Sequence, residues 1–203
     1  MAARRGILFV IAGPSGVGKG TLVRAVRARV PDELVLSVSA TTRRPREGEV
    51  DGRDYRFVDR DAFAGMIADG DLLEWAEVFD NLYGTPSSFV EEHLAAGDVI
   101  LEIDVQGAAQ IRDRAPDAVL ILLRPPSLDE LARRLRSRGT ESEDRIARRL
   151  GEAERELAQA SWFDHEVVND DLERAASQVA AIIEESRARL PGSVPQRTED
   201  PSE

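Results

Sequence analysis

Residues 13–20, Gly-Pro-Ser-Gly-Val-Gly-Lys-Gly, constrain the fold of this chain more than any other stretch. They follow an apolar run, residues 7–12, whose β-branched and aromatic side chains are typical of a strand buried on both faces. Apolar residues at helical spacing follow directly after Gly20, in residues 21–30. Gly13, Gly18 and Lys19 fit the spacing G-x-x-x-x-G-K, in which backbone amides cradle phosphate oxygens at a helix N-terminus. The order strand, loop, helix predicts nucleotide binding, rather than a glycine-rich turn before a surface lysine.

One position of this loop departs from the pattern. Gly20 stands where a Ser or Thr would place a hydroxyl on magnesium, and Thr21 comes one residue later. Lys-Gly-Thr at this point resembles adenylate kinases, which implies that Mg²⁺ is held by phosphates and water, with no direct protein ligand. The predicted ATP-binding loop consists of Gly13, Pro14, Ser15, Gly16, Val17, Gly18, Lys19, Gly20 and Thr21.

Composition narrows the class of protein. The 203 residues suit one α/β domain with small inserted lobes. There is no apolar run of the roughly 20 residues that a membrane span needs, and the chain leads into its first strand without a secretory signal. It has no cysteine, so we expect no disulfides, and we predict a cytoplasmic protein. The net charge of −11 argues against non-specific nucleic-acid binding. The oligomeric state is left open.

Strands alternate with helices along most of the chain, which predicts an α/β fold: a parallel sheet with helices on both faces. Residues 39–96 interrupt this alternation. Their first part, residues 39–57, is too long and too charged for a simple connection. Its arginines Arg43, Arg44 and Arg46 form either a functional cluster or a solvated charge run. We predict a core of residues 1–38 and 97–190 with a small lid at about 134–150, an inserted lobe of residues 39–96 facing the loop, and a disordered tail of residues 191–203.

Carboxylates occur inside two apolar stretches. Glu102 and Asp104 belong to the third predicted strand, residues 99–105, and Glu74 lies among apolar neighbours. Burying such groups without partners costs several kcal/mol. Acids at the end of a strand beside a phosphate loop are therefore expected to contact a magnesium shell or a ligand, rather than to form a solvated strand end.

From Gly6 to about Leu190 the chain resembles guanylate kinases, which phosphorylate GMP to GDP with ATP. The most specific part is residues 39–55, Ser-Ala-Thr-Thr-Arg-Arg-Pro-Arg-Glu-Gly-Glu-Val-Asp-Gly-Arg-Asp-Tyr. The resemblance implies a P-loop core that carries ATP with Mg²⁺, an inserted lobe that holds GMP and a lid that bears arginines. Supporting motifs are Glu74-Trp-Ala, Tyr83-Gly-Thr, Glu102-Ile-Asp-Val-Gln-Gly, Arg134-Leu-Arg-Ser-Arg-Gly-Thr, Arg149-Leu and Val168-Asn-Asp.

The resemblance also implies roles for single residues. Arg43 and Arg46 would grip the GMP phosphate, because the planar guanidinium binds phosphate bidentately. Arg134 and Asn169 would border the adenine. The implied catalytic residues are Lys19, Arg43, Arg134, Arg138 and Arg149. The implied GMP-binding residues are Ser39, Arg43, Arg46, Tyr55, Glu74, Tyr83, Thr85, Glu102 and Asp104.

Base selection follows from the same residues. Guanine presents N–H donors at N1 and N2, which the carboxylates of Glu74 and Asp104 suit as acceptors, while the hydroxyls of Ser39 and Thr85 could address O6. Glu102 could touch magnesium-bound water or orient an arginine, and both readings stay open. The deoxy analogue dGMP is expected to be accepted as well.

Two other functions are weighed against this one. The first is a guanylate-kinase-like interaction module without ATP handling, which should show a degraded phosphate loop and should lack the lid arginines. All four of these cations are present, namely Lys19, Arg134, Arg138 and Arg149, and only Gly20 favours that module. The second is a kinase for sugar phosphates on the same scaffold, and the base-reading residues Glu74, Thr85 and Asp104 argue against it.

Overall fold

The computed structural model describes residues 5–30, 34–137, 142–158 and 160–189. Of the residues predicted above, Arg138 and the 191–203 tail lie outside this part of the chain. Along the described residues the elements are β1 (Leu8–Ala12), α1 (Lys19–Arg29), β2 (Leu34–Leu36), β3 (Ala40–Thr41), β4 (Arg56–Phe57), α2 (Arg60–Ala68), β5 (Leu72–Val78), β6 (Asn81–Pro86), α3 (Ser87–Leu94), β7 (Asp98–Ile103), α4 (Val105–Arg114), β8 (Val119–Arg124), α5 (Leu128–Ser137), α6 (Glu143–Leu157), a short 3₁₀ turn (Ala160–Trp162), β9 (His165–Val168) and α7 (Leu172–Arg189).

The central sheet has five parallel strands in the order β2-β7-β1-β8-β9. All five residues of β1 are buried, as expected for a middle strand covered on both faces. Phe9 and Ile11 pack towards α1 and α7, whereas Leu8 and Val10 pack towards α3 and α4. The predicted fold class, a parallel sheet between two helical layers, is confirmed.

A second, four-stranded sheet has the order β4-β3-β6-β5 and comes entirely from residues 40–86. Its small core contains Ala40, Phe63 and Leu72. The N-cap of α2 is Asp59, whose carboxylate accepts from the Ala62 amide at 2.7 Å. The sequence predicts β5 from the apolar run of residues 72–79, and it predicts α2 with either Asp59 or Asp61 as its cap. It did not predict β3, β4 or β6. The first two contain only two residues each, so they show no alternation of apolar and polar side chains.

Strand β5 lies at the edge of the second sheet and is held against α4 of the core. The Gln110 side chain accepts from the Trp75 amide at 3.2 Å and donates to the Trp75 carbonyl at 2.6 Å. Arg114 donates to the carbonyl oxygens of Leu72 and Leu73 at 2.9 and 3.0 Å. Side chains thus satisfy the polar backbone of this edge, and they fix the position of β5 relative to the central sheet.

Helices α5 and α6 pack on each other through a core of Leu131, Leu135, Ile146 and Ala153. The N-cap of α6 is Ser142, whose hydroxyl accepts from the Arg145 amide. This helix pair covers the residues predicted as a lid. The division of the chain into core, inserted lobe and lid stays a prediction. Among the described residues, no helix combines the length and apolar character needed to cross a bilayer.

Candidate active site

The loop between β1 and α1 is tightly packed, and its glycines have conformations that other residues rarely adopt. Gly18 is the N-cap of α1, with φ of 101°. A Cβ atom at Gly18 would lie 2.7 Å from Nδ2 of Asn169, and one at Gly13 would lie 2.3 Å from the Leu123 carbonyl oxygen. Both glycines are therefore required by close approach. The Lys19 ammonium group donates to the Gly13 carbonyl at 2.5 Å, so the cation lies directly over the loop.

A cleft of about 950 Å³ is lined by this loop, the second sheet and α6. Most of the predicted nucleotide-binding residues meet there, although they come from distant parts of the sequence. The predicted residues that line the cleft are Ser15, Gly16, Gly18, Lys19, Gly20, Thr21, Ser39, Arg46, Tyr55, Glu74, Tyr83, Glu102, Asp104 and Arg149. Seven other predicted residues do not line it: Gly13, Pro14, Val17, Arg43, Thr85, Arg134 and Asn169.

Glu74 is the most buried carboxylate of the cleft, with 3% of its surface exposed. The fully buried hydroxyl of Thr85 donates to its Oε1 at 2.6 Å, so Thr85 orients the acid instead of facing the cleft. A Cβ atom at Gly107 would lie 2.3 Å from Oε2, so this position has to be glycine. Burial raises the pKa of Glu74 to about 7, against the opposing effect of the Thr85 hydrogen bond. An N–H donor in the cleft would stabilise the ionised form.

Asp104 lies close to Glu74 and is the N-cap of α4. Its Oδ1 accepts from the Gly107 amide at 2.8 Å, which ties the acid to the helix start. Burial raises the pKa of Asp104, while this hydrogen bond and the charge of Lys19 lower it. Oδ2 has a longer contact, 3.3 Å, with the Gln106 side chain. The second oxygen can therefore accept a donor from a ligand.

Glu102 faces the phosphate loop at Gly20. A Cβ atom at Gly20 would lie 3.2 and 3.3 Å from the two carboxylate oxygens of Glu102. Glycine at this position thus leaves space for the carboxylate, which is a physical reason for the departure from the loop pattern. Burial raises the pKa of Glu102, and the nearby cations Lys19 and Arg24 oppose this shift. No group of three or more acidic, His or Cys side chains in the described ranges could hold a metal ion.

Arg43 and Arg46, which were predicted to bind the GMP phosphate, have different surroundings. Arg46 lines the cleft. Arg43 instead makes a bidentate pair with Glu49, at 3.0 and 2.8 Å, and packs on Tyr55 with its Cζ 5.2 Å from the ring centroid. The hydrogen bond from Arg43 lowers the pKa of Glu49. Sequence reasoning missed Glu49, because a separation of six residues in an irregular loop has no periodicity that would reveal the pair.

Arg134 and Asn169 lie together behind the loop. Arg134 donates to the carbonyl oxygens of Val17 and Asn169, at 3.2 and 2.9 Å, and its Nε donates to Glu130 at 2.8 Å. The Asn169 amide group also donates to the Val17 carbonyl, at 2.8 Å. Both side chains therefore brace the loop without lining the cleft. Their predicted contact with adenine stays a prediction.

Helix α6 brings further charged residues to the cleft. Arg149 donates to the Ser15 hydroxyl at 3.1 Å. Glu156, two turns later on the same helix, also lines the cleft but was not predicted. Burial raises its pKa to about 7, and its Oε2 has no hydrogen-bond partner among the described residues. The spacing of seven residues from Arg149 places it on the same helix face, and this signal could have revealed it.

Comparisons with known proteins agree with this arrangement. The family model described as "Guanylate kinase" matches residues 5–186. The chain belongs to the guanylate kinase family. It is 56% identical over 181 residues to the guanylate kinase of Rubrobacter xylanophilus, covering 89% of this chain and 94% of that protein. It is 53% identical over 189 residues to that of Nocardia farcinica, covering 92% and 97%.

Solved structures give the same result. The crystal structure of guanylate kinase from Anaplasma phagocytophilum superposes with a TM-score of 0.74 at 31% identity, covering 94% of this chain and 90% of that one. The family prediction from the 39–55 motif and the phosphate loop is thereby confirmed, and so is the prediction of an enzyme. Guanylate kinases phosphorylate GMP with ATP.

Proposed function

We propose that this chain transfers the γ-phosphoryl group of ATP to GMP, and also to dGMP, giving ADP and the corresponding diphosphate. One observation carries this assignment beyond family membership. The buried Glu74 and the half-buried Asp104 line the same cleft as Lys19 of the phosphate loop. A GMP molecule whose guanine binds these acceptors would direct its phosphate towards the loop that cradles ATP.

The reaction needs charge neutralisation more than proton removal. The acceptor is a phosphate monoester, which already carries a charge of about −1.5 to −2 at neutral pH. Catalysis therefore consists mainly of bringing two anions together and stabilising the transferring group. Lys19 and Arg149 lie at the loop where this occurs, and Arg46 faces the same cleft from the second sheet. Arg134 would act by holding the loop in shape.

Magnesium fits this site as a companion of ATP. Gly20 offers no hydroxyl, and Glu102 fills the space beside it, so the ion would be held by phosphates and water with Glu102 close by. When bound, Mg²⁺ neutralises phosphate charge. We propose ATP, GMP and Mg²⁺ as the partners of this chain, without nucleic acid, and the cytoplasm remains our prediction for its location.

A substrate panel tests the proposed function. ADP formation is followed in a coupled assay with ATP and Mg²⁺, offering GMP, AMP, CMP or UMP in turn. We expect rapid turnover with GMP and at least about 100-fold lower kcat/KM with the other three, because they would leave buried acceptors unpaired. Turnover with none of them, together with GMP binding by calorimetry, would instead identify a non-catalytic interaction module.

A further inference from the structure

The guanidinium group of Arg149 is held by two parts of the molecule that lie on opposite sides of the cleft. Its Nη1 donates to the Ser15 hydroxyl of the phosphate loop at 3.1 Å. Its Cζ atom lies 4.2 Å from the centroid of the Phe79 ring, at the turn between β5 and β6. The Nε atom is shielded from solvent. A cation over an aromatic face gains more when it is desolvated, so this contact is expected to be energetically significant.

The backbone at Phe79 is poorly suited to the residue it carries. Phe79 and Asp80 have φ of 48° and 65°, and they are the two central residues of the turn between the paired residues Val78 and Asn81. Turns with two positive φ values favour Asn-Gly or Asp-Gly, since a bulky side chain is strained there. A strained residue that persists points to a function for its side chain. The turn geometry itself does not require an aromatic ring.

We propose that Phe79 is a positioning residue that holds Arg149 at the phosphate loop during phosphoryl transfer. The inference rests on the proposed function, in which Arg149 stabilises the transferring group. The turn that carries Phe79 joins the two strands that carry Glu74 and Tyr83. The hairpin that reads the base therefore also sets the place of a catalytic arginine from α6.

Two substitutions separate the ring from the turn. Phe79→Asn suits a positive φ but removes the ring, whereas Phe79→Trp keeps an aromatic face. We expect Phe79→Asn to lower kcat by about 2- to 30-fold, as the loss of one cation–π contact implies. KM for GMP and for ATP should change less than about 2-fold, because the contact acts on the transition state. Phe79→Trp should restore most of the lost kcat.

The matched control is another half-buried aromatic residue outside the cleft. The Phe89 ring stacks on His93 at a centroid distance of 4.0 Å and lies on α3. Phe89→Leu should leave kcat unchanged. If Phe79→Asn retains full kcat, or if it raises KM for GMP without affecting kcat, the positioning role is wrong.

A double-mutant cycle tests whether Phe79 acts through Arg149. In the Arg149→Ala background, Phe79→Asn should change kcat by less than about 2-fold, because the group that it positions is gone. An equal fall in both backgrounds would contradict the proposal. The same four proteins, compared by their midpoints of urea unfolding, should show non-additive shifts, and additive shifts would contradict the contact itself.

Failure of this inference can be distinguished from failure of the proposed function. If the unaltered chain phosphorylates GMP and Phe79→Asn does so equally well, only the role of Phe79 is overturned. If the unaltered chain does not phosphorylate GMP, the proposed function is overturned, and a catalytic role for this contact is overturned with it. The unfolding cycle still tests the contact between the two side chains in that case.

Discussion

At the scale of single residues, the cleft combines buried acids with the cations expected of an anion site. Burial raises the pKa of Glu74, Glu102, Asp104 and Glu156. Lys19 lies among them and lowers the pKa of three of these acids: Glu102, Asp104 and Glu156. Glu74 and Glu156, whose pKa values are raised to about 7, therefore carry only part of a negative charge at neutral pH, and this reduces their repulsion of nucleotide phosphates.

The raised pKa of Glu156 predicts a pH-dependent stability. Its pKa rises from 4.5 to about 7 in the folded chain, so its contribution to stability is complete below about 4.5 and is lost as the pH rises through 7. The groups that act on it are Lys19, Asp104, Glu152 and Arg155. We expect the unaltered chain to lose free energy of unfolding relative to Glu156→Gln between pH 4.5 and 7, as measured by urea unfolding. A constant difference across this range would show that Glu156 titrates normally.

At the scale of elements, the sequence revealed local motifs, but it did not reveal pairs of residues that come from distant segments. The phosphate loop was predictable because strand, glycines, lysine and helix follow one another directly. Strand β6 was not predicted, because Gly84 and Pro86 interrupt its pattern. The sequence also did not reveal two pairs of side chains, Arg43 with Glu49 and Arg149 with Phe79. The residues of these pairs lie in irregular or distant segments, which have no repeating spacing.

Helix α7 is anchored to the central sheet by a pair of charges. Nε of Arg187 donates to Oδ2 of Asp98 at 2.6 Å, and the side chain of Asp98 is only 5% exposed. Oδ1 of the same acid accepts from the Ile7 amide at 2.7 Å. The acid thus joins the last helix, the first strand of the chain and β7, and it depends on the arginine to compensate its charge.

Removal of this arginine should destabilise the whole domain. Arg187→Leu leaves the buried Asp98 carboxylate without its charged partner, and we expect a loss of about 2 kcal/mol in free energy of unfolding. The matched control is Arg189→Leu on the same helix, whose exposed pair with Glu185 at 3.8 Å should contribute less than about 0.5 kcal/mol. Equal losses in the two variants, measured by urea unfolding, would show that the anchor has no special role.

At the scale of the whole molecule, the sequence allowed the fold class and the family to be predicted, and most predicted site residues meet in one cleft. The exceptions are informative. Thr85 and Arg43 do not line this cleft, because the structure buries Thr85 beside Glu74 and pairs Arg43 with Glu49, and their contacts with GMP stay a prediction. A motif identifies which residues belong to a site, but it does not show which of them face the ligand and which support those that do.

We propose that Glu74 and Asp104 read the guanine base in a cleft shared with the phosphate loop. Steady-state kinetics of Glu74→Gln test this claim most directly. The amide can still accept the Thr85 hydroxyl through its oxygen, but its nitrogen would present a donor to the guanine N–H groups. The control is Glu92→Gln, which alters an exposed acid on α3 that does not line the cleft.

We expect Glu74→Gln to lower kcat/KM for GMP by about 100-fold and to change KM for ATP by less than about 2-fold, while Glu92→Gln leaves both unchanged. Such a result would show that the buried carboxylate selects guanine without contributing to ATP binding. Equal losses for GMP and ATP, or no loss for GMP, would contradict the claim and would assign Glu74 to the structure of the cleft instead.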